Sequence, residues 1–222
     1  MSVRTANVVA YLGSRLVVAA FVTGVCNVSA FAQDDVFVEL LDAELSRWSV
    51  VDAEPGTFTW QGGVLRVTGP DGWLRSDERY GDVDVDVEFR FLTEAADSGL
   101  FFRAIGNEPF LRGWPNEAYQ LQMRNPEGES RFPPLGGLFR HGMPDAETQF
   151  DEARAREVTL PAGQWQMLSI SVSGDRVTAR INGTQILEAG GIGNDPGFIG
   201  LQGETPGLEF RSVRVRRRNP ID

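Results

Sequence analysis

The chain has 222 residues and a formal net charge of −10, with 31 acidic residues against 21 basic ones, and it contains no lysine. This acidic balance disfavours nucleic acid and anionic membranes as partners, so we expect neither. Without lysine a Schiff-base mechanism is excluded, and acid–base chemistry must come from carboxylates, tyrosines, a metal-bound water or the lone histidine, His141.

The first 32 residues predict a secretory signal peptide. They carry two arginines and no acidic residue, followed by the apolar run 16–25 and a small-residue cleavage site ending at Ala32. The apolar run is too short to span a bilayer as a stable helix. We therefore expect a secreted or periplasmic protein with one domain over 33–222 and no membrane span. The only cysteine, Cys26, would leave with the signal peptide.

Short strands separated by Gly, Pro, Asn and Asp predict an all-β protein. Residues 57–60 and 64–68 fit a hairpin, and 168–187 fit a meander whose second turn is Asn182-Gly183, a pair that favours tight hairpin loops. Strands at 198–202 and 208–215 complete the pattern. Regular short spacing favours a jelly-roll sandwich of two antiparallel sheets over a barrel or propeller.

The run 83–91 alternates strictly between apolar and charged residues. Its valines and phenylalanines fall on one face, while its acids and Arg90 fall on the other. A second strand starts at Ser98-Gly99, and Gln120 and Gln122 alternate with apolar residues further on. We expect these glutamines to share the polar face of Glu88.

Two other stretches are informative. Residues 108–156 are rich in Pro, Gly and charge, and only 119–123 and 137–139 look regular. Long loops on a rigid sandwich often carry function, which draws attention to Trp114 and His141. The arginines of 211–218 make the last strand basic, which favours an exposed edge that discourages strand pairing.

Several blocks together resemble the 3-keto-disaccharide hydrolase domain family over about residues 37–217. They are GWLRSDERYGDVDVDVEFR, SGLFFR, AYQLQMRN, LGGLFR, PAGQWQMLSISVSGDRVTARING, FIGLQ and LEFRSVRV. The resemblance implies a concanavalin-like jelly roll, often exported, that acts on glycosides whose ring carries a ketone at C3. A C3 ketone acidifies the proton on C2, so a base can remove it and the glycosidic oxygen can leave C1 before water adds.

Such chemistry needs a base near C2, a donor or metal at the ketone oxygen, and an acid for the leaving group. The candidate catalytic residues are Glu88, His141 and Glu117. The candidate substrate-binding residues are Arg90, Arg103, Trp114, Tyr119, Gln120, Gln122 and Gln202. Structural ion pairs between Glu88 and Arg90 or Arg103 are an alternative. No metal ligand set is predicted, although a divalent metal is left open.

Gln120 stands where the family commonly has a carboxylate, and an amide cannot accept a proton at neutral pH. The chain therefore either uses another base, such as Glu117 or Glu88, or is a non-catalytic carbohydrate-binding module. A third interpretation compares Asp84 to Glu88 with the alternating acidic strand of endo-β-glucanases. There the two end acids act as nucleophile and general acid.

Overall fold

The computed structural model describes residues 36–105, 111–128, 130–193 and 195–218, all within one unit that spans Ala32–Asp222. The predicted signal peptide lies outside these ranges and stays a prediction. Among the described residues, no helix combines the length and apolar character needed to cross a membrane.

The described strands form two antiparallel sheets that pack as a sandwich, which confirms the predicted fold class. In chain order they are β1 (Val38–Glu39), β2 (Trp48–Val51), β3 (Phe58–Gln61), β4 (Val64–Val67), β5 (Trp73–Tyr80), β6 (Val83–Phe91), β7 (Gly99–Ala104), β8 (Ala118–Gln122), β9 (Leu138–His141), β10 (Glu147–Phe150), β11 (Gln166–Ser173), β12 (Arg176–Ile181), β13 (Thr184–Gly190), β14 (Gly197–Gln202) and β15 (Leu208–Arg217). The large sheet has the order β10-β13-β12-β11-β6-β15-β4-β3, with β1 beside β15, and the small sheet has the order β2-β5-β14-β7-β8-β9.

One α-helix is described, α1 (Glu152–Val158), besides a short 3-10 turn at Leu111–Gly113. The Asp151 carboxylate caps α1 by accepting from the Arg154 backbone N–H at 2.9 Å. Strand β10 and most of α1 lie within 108–156, the stretch that the sequence predicted to be largely irregular. That prediction was wrong for these two elements. The helix is only seven residues long, too short for a clear helical period.

Strand β6 lies inside the large sheet, between β11 and β15. Its inward side chains Val83, Val85, Val87, Phe89 and Phe91 are buried in the main core, as the alternation predicted. Burying a side chain of this size contributes about 1.5–3 kcal/mol relative to leaving it exposed. This strand therefore anchors the core of the sandwich.

The outer face of the large sheet, turned away from the core, carries a ladder of ion pairs between β6 and β15. Asp84 pairs with Arg216 at 2.7 Å, and Asp86 pairs with Arg214 at 3.2 Å. The prediction of an exposed basic edge was wrong, because β15 is paired with β6 on one side and with β4 and β1 on the other. Its arginines neutralise the acids of the neighbouring strand instead.

The chain changes sheets twice around β6. Strand β5 belongs to the small sheet, β6 to the large sheet, and β7 to the small sheet again. Neighbours in sequence are therefore on opposite layers of the sandwich. The predicted single polar face that combines Glu88 with Gln120 and Gln122 is consequently wrong.

The two predicted hairpin turns are confirmed. Gly62 and Gly63 join β3 to β4 with φ values of +62° and +82°, and Asn182 and Gly183 join β12 to β13 with φ values of +50° and +83°. Both central residues have positive φ, as tight two-residue hairpins require. The strands β1 and β2 were not predicted.

Candidate functional site

Polar and aromatic side chains meet on the outer face of the small sheet. Directly opposed residues of antiparallel strands share a face, and Gly99 is paired with Gln122 while Phe101 is paired with Gln120. On the next strand, Gln120 is paired with Phe139. These registers place both glutamines of β8 side by side above a glycine.

A chain of hydrogen bonds runs through three carboxamides on this face. The Gln120 Nε2 donates to Gln122 Oε1 at 2.8 Å and to Gln202 Oε1 at 3.0 Å. At one end, Gln122 Nε2 donates to Asp97 Oδ1 at 2.6 Å; at the other, His141 Nε2 lies 2.7 Å from Gln120 Oε1. All three glutamines are at most 4% exposed, so their polar groups depend on one another rather than on water.

The direction of this amide chain determines the tautomer of His141. An ionised Asp97 only accepts hydrogen bonds, so Gln122 must present its N–H groups to it. Gln122 then offers its oxygen to Gln120, and Gln120 offers its own oxygen to the imidazole. It follows that, with Asp97 ionised, His141 donates from Nε2 and carries its proton there when the ring is neutral.

Burial shifts the pKa values at both ends of the chain. For Asp97, burial and then the negative charge of Glu204 raise the pKa to about 7, although the positive charge of Arg124 opposes this. For His141, burial lowers the pKa below its ordinary value. A carboxyl group that titrates near neutral pH is suited to proton transfer, and such groups are concentrated at functional sites.

Asp97 also faces a pocket of about 530 Å³. Its wall includes Glu94, Arg124, Glu127 and Thr205. A ligand in this pocket would therefore lie beside the Asp97 carboxyl group.

Three aromatic rings line the same face beside the amides. The rings of Trp73 and Phe101 pack edge to face with centroids 5.7 Å apart, and Phe101 meets His141 in the same way at 5.7 Å. Gly200 makes room for Trp73, since a Cβ at this glycine would lie 2.3 Å from the indole. Trp114 packs in the same cluster and donates from Nε1 to the Gly203 carbonyl at 2.8 Å.

Arg112 holds the segment that carries Trp114. Its guanidinium lies 5.0 Å from the Trp114 ring centroid and bonds to Asp71 at 2.6 Å and to Glu204 at 3.0 Å. Arg112 has a φ of +62°, a conformation that costs about 1–2 kcal/mol for a residue with a Cβ. These contacts offset the strain and fix Trp114 against the sheet.

The structure separates the predicted catalytic residues from one another. Glu88 lies on the large sheet, where it forms an ion pair with Arg211. The hydrogen bond and charge of Arg211 lower the pKa of Glu88, so this carboxylate is a poor proton acceptor at neutral pH. Arg90 is in the same ladder and bonds to Glu209 at 2.6 Å. The catalytic role of Glu88 stays a prediction. The alternative, an ion pair of Glu88 with Arg90 or Arg103, was wrong, because Glu88 pairs with Arg211.

Three other predicted residues also lie away from the amide chain. Arg103 is buried and bonds to Asp82 at 3.4 Å, not to Glu88. Tyr119 faces the core, where its hydroxyl accepts from the Gly193 N–H at 3.0 Å. Glu117 is exposed just before β8 and out of phase with the two glutamines of that strand. By contrast, His141, Trp114, Gln120, Gln122 and Gln202 all lie on the face of the site.

The acidic strand that resembles endo-β-glucanases does not present free carboxylates. Asp84 is bound by Arg216 and Arg218, and Glu88 by Arg211. A metal also fits the site poorly, because two carboxamides stand between Asp97 and His141. In the part of the chain that the structure describes, no group of three or more His, Cys, Asp or Glu side chains could hold a metal ion together.

The sequence interpretation missed Asp97. It lies two residues before Gly99 and therefore has the parity of Gly99 and Phe101, the residues that face the glutamines. The alternation of residues 97, 99 and 101 can be read from the sequence. The sequence does not show that β7 and β8 are neighbours in one sheet, which is what brings Asp97 to the glutamines.

The comparisons with known proteins agree with this fold. Residues 36–216 match a family model described as a 3-keto-alpha-glucoside-1,2-lyase-like domain. A proposed glycosyl hydrolase from Parabacteroides distasonis superposes with a TM-score of 0.63 at 17% identity, over 83% of this chain and 100% of its own. The comparison with curated proteins found no match.

Two carbohydrate-recognition structures are also similar. The carbohydrate-binding module CBM66 from Bacillus subtilis has a TM-score of 0.51 at 11% identity, over 77% of this chain and 95% of its own. The exoplasmic/lumenal domain of VIP36, in a form bound to Ca²⁺ and mannose, has a TM-score of 0.53 at 13% identity, over 79% and 86%. At these identities the likeness shows the fold alone.

Proposed function

The chain belongs to the family of 3-keto-alpha-glucoside-1,2-lyase-like domains, and on that premise we propose that it acts on glycosides whose sugar ring carries a ketone at C3. The reaction is an elimination followed by the addition of water. The observation that carries this proposal is Asp97, a carboxyl group with a pKa of about 7 that faces a pocket and is joined to His141 by the amide chain.

In the first step the Asp97 carboxylate removes the proton from C2. The electrons of that C–H bond form a C1=C2 double bond conjugated with the C3 ketone, while the C1–O bond breaks. The leaving oxygen takes up a proton from water, since the lowered pKa of His141 leaves its ring neutral near pH 7. Water then adds to C1, and C2 regains a proton, so the net change is hydrolysis.

The amides have a separate part in this scheme. Carboxamides donate and accept without titrating, so the amide chain can keep the Asp97 carboxyl group oriented at any pH at which the protein folds. Their mutual hydrogen bonds fix the orientation of Gln122, and Gln122 holds Asp97 in place before the ligand arrives, which lowers the cost of ordering the carboxyl group on binding.

The test compares purified wild-type protein with Asp97→Asn and with the control Glu94→Gln, a carboxylate on the wall of the same pocket. The substrate is a 3-keto-disaccharide in D₂O. Release of the two sugars with deuterium at C2 is expected for wild type and Glu94→Gln, and a drop of at least about 100-fold for Asp97→Asn. Cleavage without deuterium at C2, or full activity of Asp97→Asn, would refute the mechanism.

A second candidate function is carbohydrate binding without catalysis. It is favoured by Gln120, which replaces a common family carboxylate, and by the fold shared with CBM66 and the VIP36 domain. It predicts saturable binding of the 3-keto-disaccharide with no turnover in wild type. A gain of turnover in Gln120→Glu would then identify the lost carboxylate as the reason.

We also propose that the protein is exported. The proposal is supported by the arginines, the apolar run and the small residues before Gln33. Sequencing the N-terminus of protein recovered from the periplasm or medium is expected to start at Gln33; recovery of an intact N-terminus in the cytoplasm would contradict it.

A further inference from the structure

A pair of phenylalanines lies beside the amide chain and takes no part in it. Phe139 on β9 is paired in register with Gln120, so the two side chains are neighbours on the outer face of the small sheet. The Phe139 ring meets Phe132 edge to face, with centroids 6.0 Å apart and an interplanar angle of 69°. The aromatic surface of the site therefore continues to its edge strand.

Phe132 is exposed but held in place. The residue is 47% exposed, and neither Phe132 nor Phe139 belongs to the hydrophobic clusters of the described residues. The backbone around it is fixed by Arg124, whose Nη2 donates to the Phe132 carbonyl at 2.7 Å and whose Nε donates to the Pro133 carbonyl at 3.3 Å. The Phe132 N–H donates to Ser130 Oγ at 3.0 Å.

An ordered phenyl ring that stays in water forgoes the stabilisation of burial. A fixed loop that presents such a ring next to a polar site is the arrangement expected of a preorganised contact for a ligand. Arg124 is itself 4% exposed and lines the pocket beside Asp97. The same side chain therefore holds the Phe132 loop and forms part of the pocket wall.

We propose that Phe132 and Phe139 form a stacking subsite for the second ring of the glycoside, the one attached through the glycosidic oxygen. The proposal rests on the proposed function of the same site. With C2 of the keto-sugar beside Asp97 in the pocket, the ring on the leaving oxygen comes within reach of the Phe132 loop, because Ser130 of that loop lines the same pocket. Phe139 on β9 continues the aromatic surface of that loop, because its ring meets Phe132 edge to face.

The ligand chemistry is a ring with an apolar face. Phe139 has no hydroxyl to bind a polar group, and Phe132 already has the Arg131 guanidinium 5.0 Å from its ring centroid. Both an aryl aglycone and the C–H face of a pyranose fit this description. An aryl ring gains more, because its π face can pack edge to face with both phenylalanines.

The experiment measures dissociation constants of phenyl, methyl and cellobiose-type glucosides that are not oxidised at C3, so that binding is separated from turnover. Wild type is expected to bind the phenyl glucoside about three- to ten-fold more tightly than the methyl glucoside. Phe132→Ala and Phe139→Leu are expected to reduce this ratio to about one. Phe37→Ala, which removes a half-buried phenylalanine stacked against arginines on the large sheet, is the control and should keep the ratio.

The outcomes separate the subsite from the proposed function. An unchanged ratio in Phe132→Ala, or no aryl preference in wild type, overturns the subsite even if the 3-keto-disaccharide is cleaved. An aryl preference that depends on Phe132, without any turnover, supports the subsite and removes only the enzymatic proposal. If Phe132→Ala weakens binding of the disaccharide but not of the phenyl glucoside, the subsite binds a second sugar ring rather than an aryl group.

Discussion

At the residue scale, Asp97 links function to stability. The carboxyl group ionises near pH 3.8 when the side chain is free in water and near pH 7 in the folded protein, chiefly because of burial. Between these values the folded state keeps a proton that the unfolded state has lost. The contribution of Asp97 to the stability of the protein therefore falls as pH rises from about 4 to 7, by up to about 4 kcal/mol.

Replacing Asp97 with Asn should remove this loss while keeping an oxygen for Gln122. We expect Asp97→Asn to be more stable than wild type at about pH 8 and close to it at about pH 4.5, as measured by urea unfolding at both pH values. Glu94→Gln serves as the control. Equal stability of Asp97→Asn and wild type at about pH 8 would show that the carboxylate is not destabilising.

Gln120 is the second residue with a clear consequence. The change Gln120→Glu places a negative charge where Oε1 now lies 2.7 Å from His141 Nε2. An adjacent carboxylate stabilises the imidazolium, so the pKa of His141 should rise by about 1–2 units relative to wild type. Because the chain has only one histidine, its NMR titration needs no assignment. Gln122→Glu, one position farther along the amide chain, should give a smaller rise, and equal rises would contradict the geometry.

At the scale of the element, Gly99 determines where the amides can lie. A Cβ on Gly99 would stand 2.3 Å from Gln120 Nε2, whereas a Cβ on Gly190, also in a strand, meets nothing within 4 Å. Gly99→Ala should displace Gln120, shift the His141 resonances and cost about 1–3 kcal/mol in urea unfolding. Gly190→Ala should leave the His141 resonances unchanged. Unchanged resonances in Gly99→Ala would mean that Gln120 has another place to lie.

The ion-pair ladder of β6 and β15 gives a prediction on the other sheet. The Glu209 side chain is fully buried and neutralises both Arg66 and Arg90. Glu209→Gln should destabilise the protein by about 1–3 kcal/mol, since it weakens two charge-assisted hydrogen bonds while the partly exposed guanidinium groups stay solvated. Glu78→Gln breaks a pair in which the carboxylate is 61% exposed, so thermal unfolding should barely change. Similar losses in both variants would contradict this difference.

At the scale of the whole molecule, the sequence predicted the fold class better than it predicted the site. The alternation of β6 and the Asn182-Gly183 turn depend on local geometry, and both are confirmed. The pairing of Glu88 with Gln122 depended instead on which layer each strand joins. Hydrophobic periodicity identifies the buried face of a strand, but it does not tell the two sheets of a sandwich apart.

Asp97 illustrates the same limit. Its raised pKa arises from burial and from the charge of Glu204, which is more than a hundred positions away in the chain. Long-range electrostatic effects of this kind exist only in the folded state. The arginines of β15 were misinterpreted for the same reason, because their acidic partners on β6 are also distant in sequence.

The change of sheets on either side of β6 has a consequence for how this protein can be altered. The salt-bridged face and the amide face belong to different layers, so substitutions on one leave the contacts of the other intact. Side chains around the amides can therefore be randomised in a library without weakening the charged scaffold behind them. For the same reason, ligand preference can change during evolution through substitutions at a few outward-facing positions of the small sheet, while the large sheet stays constant.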